Sequence, residues 1–245
     1  MSFLDNQLQF FKEARQSYKV GFIVIGAQKS GTTALDRYLR THSEICMANK
    51  KEVHYFDRKK YFKNNNPDYS KYHKFFKPSH KHKIVGESTP IYIYWNQAIQ
   101  RIHLYNPKIK LIAILRNPIY RAFSHWNMER ERNRERRSFF DAINDENRTI
   151  KSIKKKQDRT FSYLDRGCYY LQLIKIFKFF DKDQLLIIKN ESLRSNPNSV
   201  LSQIATFLSI PSFQHVEHKE VHSRVYSTKL SNRELEFLRS FYEKE

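Results

Sequence analysis

Apolar and polar positions divide this chain into short uninterrupted runs and longer periodic stretches. Residues 22–25, Phe22, Ile23, Val24 and Ile25, are apolar throughout and rich in β-branched side chains, and Gly26 closes the run, which predicts a short buried strand. KLIAIL at 110–115 and the apolar run at 185–188 predict two more, and residues 84–90 predict a brief strand followed by a turn. Between the runs, apolar residues recur at helical spacing. Leu35, Tyr38 and Leu39 follow Thr32; Ile99 and Ile102 lie in 95–105, ended by Asn106–Pro107. Leu171, Ile174, Phe177 and Phe180 form the expected core face of a helix at 170–180, Pro197 opens another through Leu208, and Leu235, Leu238 and Phe241 line a last one at 232–242. Strand alternating with helix predicts an α/β fold with a parallel sheet.

The remaining stretches are polar. Residues 1–19 read as an N-terminal extension packing Leu4, Leu8 and Phe11 on the domain, and 58–83 as an irregular lid or acceptor loop. MERERNRERR at 128–137 alternates charge signs and reads as a solvated helix with i,i+4 pairs. Residues 148–160 are strongly basic and predict a loop on the acceptor side. With no repeat or linker, 1–245 reads as one domain.

The first strand leads straight into chemistry. Gly26, Gln28, Lys29, Ser30 and Gly31 form a glycine-bounded loop, and Thr32 and Thr33 begin the helix after it. Strand, loop and helix start aim backbone N–H groups and the positive end of a helix at an anion. A nucleotide-hydrolysing loop of the form G-x-x-x-x-G-K-[ST] has its lysine after the second glycine. Here Thr32 stands at that position and Lys29 lies inside the loop, so the lysine–magnesium arrangement of such enzymes is not reproduced.

Charge agrees with an anionic partner. The 45 Lys and Arg outnumber the 25 Asp and Glu, a formal net charge of +20, which fits nucleic acid, a phosphorylated cofactor, an acidic glycan or a membrane surface. Two cysteines, Cys46 and Cys168, build no disulfide framework, and the histidines lack metal-ligand spacing, so no metal is expected. Without a recognisable signal peptide or a long apolar span, the expected location is the cytoplasm.

Three stretches carry a family resemblance. GAQKSGTTAL resembles the loop that holds the 5′-phosphosulfate in sulfotransferases using 3′-phosphoadenosine 5′-phosphosulfate (PAPS). KKEVHYFD is similar to the E-V-H-F-F-D segment of heparan sulfate glucosaminyl 3-O-sulfotransferases. LRNPIYRAFSHW resembles the family's 3′-phosphate element, L-R-[DN]-P-x-x-R-x-x-S. The resemblance, to the 3-O- and N-sulfotransferase-like branch in a soluble, bacterial-type form, implies a P-loop-like three-layer sandwich whose central, mainly parallel sheet is flanked by helices. It implies PAPS as donor and 3′-phosphoadenosine 5′-phosphate (PAP) as product, without a metal. Glu52 becomes the general base, His54 a neighbour that orients or assists, and Lys29 a stabiliser of the leaving phosphate. Gly26, Gln28, Lys29, Ser30, Gly31, Thr32, Thr33, Arg116 and Ser124 become donor ligands. Tyr169 joins them from a segment similar to the family's R/K-G-x-Y, and Arg224 from a C-terminal stretch that lacks the family's glycine. Lys51, Glu52, His54, Asp57 and Glu87 become acceptor contacts.

Two other classes compete. A P-loop kinase or NTPase wants a lysine after Gly31 and an acidic residue closing an apolar strand, whereas Thr32 and Arg116 occupy those places. A nucleic-acid-binding protein would explain the charge, yet no recognition motif is present. The acceptor the resemblance suggests is a carbohydrate, glycolipid or small metabolite, through a hydroxyl or an amine.

Overall fold

The computed structural model describes residues 18–63, 66–150, 157–214, 216 and 229–243. The expected N-terminal extension, apart from its last two residues, and Arg224 lie outside them. Five strands form one sheet: β1 (Phe22–Gly26), β2 (Ile45–Met47), β3 (Ile84–Ser88), β4 (Lys110–Leu115) and β5 (Leu185–Lys189). Their order is β2-β3-β1-β4-β5 and every pairing is parallel. Nine α-helices are described: α1 (Thr32–Leu39), α2 (Ser70–His73), α3 (Ala98–Tyr105), α4 (Pro118–Glu131), α5 (Phe139–Ile150), α6 (Tyr169–Phe177), α7 (Asn190–Ser195), α8 (Pro197–Leu208) and α9 (Asn232–Tyr242). The P-loop-like sandwich read from the sequence is the fold that forms.

The unbroken apolar runs have a simple cause. Alternate residues of a strand point to opposite faces, and both faces of this sheet are covered. Ile23 and Ile25 of β1 and Leu111 and Ala113 of β4 join one core with Ile99 and Ile102 of α3. Phe22, Val24, Ile112 and Ile114 join the other, against Leu35 and Leu39 of α1 and Val200, Leu201 and Ile204 of α8. A third cluster gathers Ala122, Phe123 and Trp126 of α4 with Phe139 and Ile143 of α5 and Leu238 of α9.

Three expectations are corrected. In α6, Leu171, Ile174 and Phe177 are exposed, and the helix packs instead through Ile176 and Gln172, with Phe180 buried just beyond it. Tertiary anchors rotate it: the Gln172 amide donates to the carbonyls of Arg166 and Cys168, and the Tyr169 hydroxyl donates to the carbonyl of Arg116. The stretch 128–137 is not a solvated helix. α4 ends at Glu131, and Glu129 and Glu135 are buried, Glu129 facing Arg132 and Arg134, and Glu135 facing Arg137. Finally, the described part of 58–83 is no loose lid. Tyr72 and Phe76 are in the core, and the rings of Tyr61, Tyr69 and Tyr72 gather around Tyr55.

Candidate active site

From β1 the chain turns one way across the sheet, toward β3 and β2, and from β4 the other way, to β5. Their adjacent carboxyl ends are a topological switch point, where open parallel sheets collect ligands. The loop after β1 and Arg116 after β4 meet there: Ala27 N–H donates to the Ile114 carbonyl at 2.8 Å and Arg116 Nη1 to the Lys29 carbonyl at 3.3 Å. Gly31 caps α1 with φ 97°, a left-handed conformation that glycine adopts without penalty. Behind it Asn190, at the carboxyl end of β5, donates to the Ser30 carbonyl at 2.8 Å. Ala34 N–H already donates to the Gly31 carbonyl at 3.0 Å, but the N–H groups of Thr32 and Thr33, which precede it, lie where a helix offers no internal partner, so the loop presents donors to an anion.

The surroundings are cationic. Arg166, almost fully buried, bonds Gln28 Oε1, and burial lowers its pKa to about 10. His125, fully buried on α4, is held neutral by burial and then by the charges of Arg166, Arg121 and Lys29. Ser124 is also buried on α4, one residue before it. Neither 26–33 nor 115–121 contains a carboxylate, so the ends of β1 and β4 suit a multiply charged anion and lack the acid that would hold a metal beside it.

On the other flank of β1, the segment after β2 crosses the end of β3. Glu52 N–H donates to the Ser88 carbonyl at 3.0 Å, and Thr89 N–H to the Val24 carbonyl at 3.0 Å. Val53, Tyr55 and Phe56 turn inward as expected. Glu52 and His54 are not on an extended strand, however; both are left-handed, with φ 61° and 55°. That bend brings Glu52 Oε2 to 3.2 Å from His54 Nε2, while His54 Nδ1 lies 3.0 Å from Asp57 Oδ2. Lys51 Nζ reaches Glu52 Oε1 at 3.2 Å.

Glu52, His54 and Asp57 thus form a carboxylate–imidazole–carboxylate row. Burial works against charge on the imidazole, but the hydrogen bonds to Asp57 and then Glu52 prevail and raise its pKa to about 9. Burial likewise works against charge on Glu52, and the bonds from His54 and Lys51 overcome it, holding the carboxyl at about 2. At neutral pH the row therefore rests as carboxylate, imidazolium and carboxylate.

Glu87 occupies a different place from the others. It is fully buried, its oxygens taken by the hydroxyls of Tyr72 at 2.7 Å, Thr89 at 2.6 Å and Tyr92 at 3.3 Å, and burial lifts its pKa to about 7. Tyr92 in turn receives Tyr55 N–H at 3.0 Å. Glu87 supports the Glu52–Asp57 segment from beneath, with no surface left for an acceptor. Two residues near the site escaped the sequence reading, Asn190 and Arg159, and a third, Arg166, is the basic residue of the R/K-G-x-Y-like segment from which only Tyr169 was singled out. Asn190 gave only a weak signal, separated from the apolar run at 185–188 by Lys189; Arg159 lay in a basic stretch with no pattern to single it out.

A parallel sheet with a glycine-bounded anion loop at its switch point defines the P-loop-like class of α/β proteins. Within that class, the chain belongs to the sulfotransferase domain family, whose model matches residues 20–240. It is 26% identical over 83% of its length to membrane-associated sulfotransferase kil1 of Dictyostelium discoideum, and 30% identical over 82% to heparan sulfate glucosamine 3-O-sulfotransferase 3B1 of Mus musculus. The chain spans 58% and 49% of those two proteins. A crystal structure of a sulfotransferase from Alicyclobacillus acidocaldarius superposes with a TM-score of 0.78 at 25% identity, covering 93% of this chain and 92% of that one. Among the described residues, no helix is long and apolar enough to cross a membrane.

Proposed function

We propose that this protein transfers the sulfuryl group of PAPS to a hydroxyl or amine of a carbohydrate or glycoconjugate, with Glu52 as the general base. One observation carries the reading: a cationic anion loop and a hydrogen-bonded carboxylate row flank the same strand at its carboxyl end. PAPS supplies a sulfuryl group already joined to a phosphate leaving group. The first-turn N–H groups of α1, with Lys29, Thr32 and Thr33, take up the charge that develops on that phosphate. Arg116, with its planar fork of donors, and Ser124 hold the 3′-phosphate. Glu52 accepts the acceptor's proton as the new bond forms. In the resting pair it is a weak base. An acceptor seated on the open part of the carboxylate excludes water there and raises its proton affinity. The family and the glucosamine sulfotransferase relative support a sugar acceptor, and Lys51 beside Glu52 suits an acidic one.

Calorimetric titration with PAP, and with ATP in the absence and presence of magnesium, tests the donor. PAP is expected to bind without metal, and Arg116→Ala to abolish it; preference for magnesium–ATP would overturn the reading in favour of a kinase. Radiolabelled PAPS with heparan sulfate as acceptor probe tests the base. Glu52→Gln is expected to keep PAP affinity and to lose about 10²–10⁴-fold in transfer rate.

A further inference from the structure

Asp57 is the far end of the carboxylate row, and its side chain is wholly buried. A buried carboxylate needs more than one imidazole to hold it. Arg159 adds a second partner: Nη1 lies 2.5 Å from the same Asp57 Oδ2 and Nη2 donates to the Asp57 carbonyl at 2.6 Å, a two-point grip on side chain and backbone together, while Oδ1 is buried with no hydrogen-bond partner among the described residues. Arg58 stands farther off, its Nε 3.8 Å from Oδ2. The guanidinium of Arg159 lies 4.0 Å from the centre of the Trp95 ring, which covers one face while its N–H groups grip Asp57.

The backbone around Arg159 is fixed too. Asn96 N–H donates to Gln157 Oε1 at 2.8 Å, and the Gln157 amide bonds the Tyr94 carbonyl. The carbonyl of Arg159 accepts from Arg166 Nη2 at 2.9 Å, and Arg166 Nη1 bonds Gln28 of the anion loop. A continuous run of bonds therefore joins the two halves of the site: Gln28, Arg166, Arg159, Asp57, His54, Glu52.

Resting on the sulfotransferase reading above, we propose that Arg159 is a positioning residue. It locks Asp57 so that His54 is held against Glu52, and through Arg166 it sets that row relative to the donor loop. Arg159 touches neither reacting group, so its loss acts on geometry. A misplacement of about 1 Å at a reacting group costs on the order of a hundredfold in rate. Lysine keeps the charge but not the two-pronged grip, and methionine keeps only the length.

The test compares wild type, Arg159→Lys and Arg159→Met. PAP affinity by calorimetry is expected to stay within about threefold in all three. With PAPS and heparan sulfate, kcat in Arg159→Met is expected to fall about a hundredfold at unchanged KM for PAPS, with partial recovery in Arg159→Lys. Independently of any acceptor, the proton NMR resonance of the His54 Nδ1–H, downfield because it donates to Asp57, is expected to move upfield in Arg159→Met and to return part of the way in Arg159→Lys. A wild-type resonance in Arg159→Met, or loss of PAP affinity and thermal stability together with kcat, would overturn the proposal. Should the wild type bind no PAP or leave heparan sulfate unmodified, the functional reading fails at donor or acceptor, while the His54 resonance still decides the role of Arg159.

Discussion

At the scale of single residues, the site places two bulky side chains in left-handed backbone. Glu52 and His54 have φ of 61° and 55°, conformations costing about 1–3 kcal/mol each unless their surroundings enforce them. The enforcing bonds are Glu52 N–H on the Ser88 carbonyl and Tyr55 N–H on the Tyr92 hydroxyl, so the strain is met from β3 and the turn after it. The outcome is a charged row with a pH signature. Because the folded pKa of His54, about 9, lies above its ordinary 6.5, the contribution of the imidazolium to stability is complete below about pH 6.5 and is lost as pH rises through about 9, whereas that of Glu52, held at about 2, below its ordinary 4.5, is complete above about pH 4.5 and is lost as pH falls through about 2. Asp57→Asn removes the larger of the two hydrogen-bonding effects that raise His54. The His54 titration followed by NMR is expected to drop toward its ordinary value, and the alkaline loss of thermal stability to begin at lower pH. An unmoved midpoint would show that Asp57 does not hold the imidazolium.

At the scale of elements, the junction of β1, its loop and α1 depends on one backbone conformation. A Cβ on Gly31 would lie 2.7 Å from Asn190 Nδ2, the group that holds the Ser30 carbonyl, and φ 97° is itself unfavourable for any L side chain. Gly31→Ala is therefore expected to destabilise the protein by about 1–3 kcal/mol. It should also weaken PAP binding by displacing the N–H groups at the head of α1. Denaturant melts and calorimetry read the two effects separately; full PAP affinity in the variant would mean that the loop tolerates another conformation. The C-terminal helix α9 is better insured, opening with a reciprocal capping box between Ser231 and Glu234.

At the scale of the whole molecule, the site is held by a sheet buried on both faces, and its strand ends are only as well placed as that sheet is packed. Ile112 lies at the centre of β4, fully buried and paired with both β1 and β5. Ile112→Ala is expected to cost about 2–5 kcal/mol, read as an earlier denaturant midpoint with an unchanged slope. A cost below about 1 kcal/mol would show that the two cores collapse around the gap.

Local pattern alone determined a good deal. Apolar runs marked β1 and β4 because strands covered on both faces bury apolar side chains on each, and β5 kept an apolar run at the sheet edge although Ile187 is exposed. The glycines around Lys29 marked the anion loop because short-range backbone geometry demands them, and Arg116 was legible because it directly ends an apolar strand. What only the tertiary structure decided involves partners far apart in sequence. The face that α6 buries is chosen by Arg116, 53 residues before Tyr169. Glu87 became a support for the Glu52–Asp57 segment because hydroxyls of Tyr72 and Tyr92 converge on it inside the core. Asp57 and Arg159 are separated by 102 residues, and no periodicity links them. Short-range sterics and hydrogen bonding write themselves into adjacent residues, whereas the pairing of buried charges depends on which loops the sheet brings together.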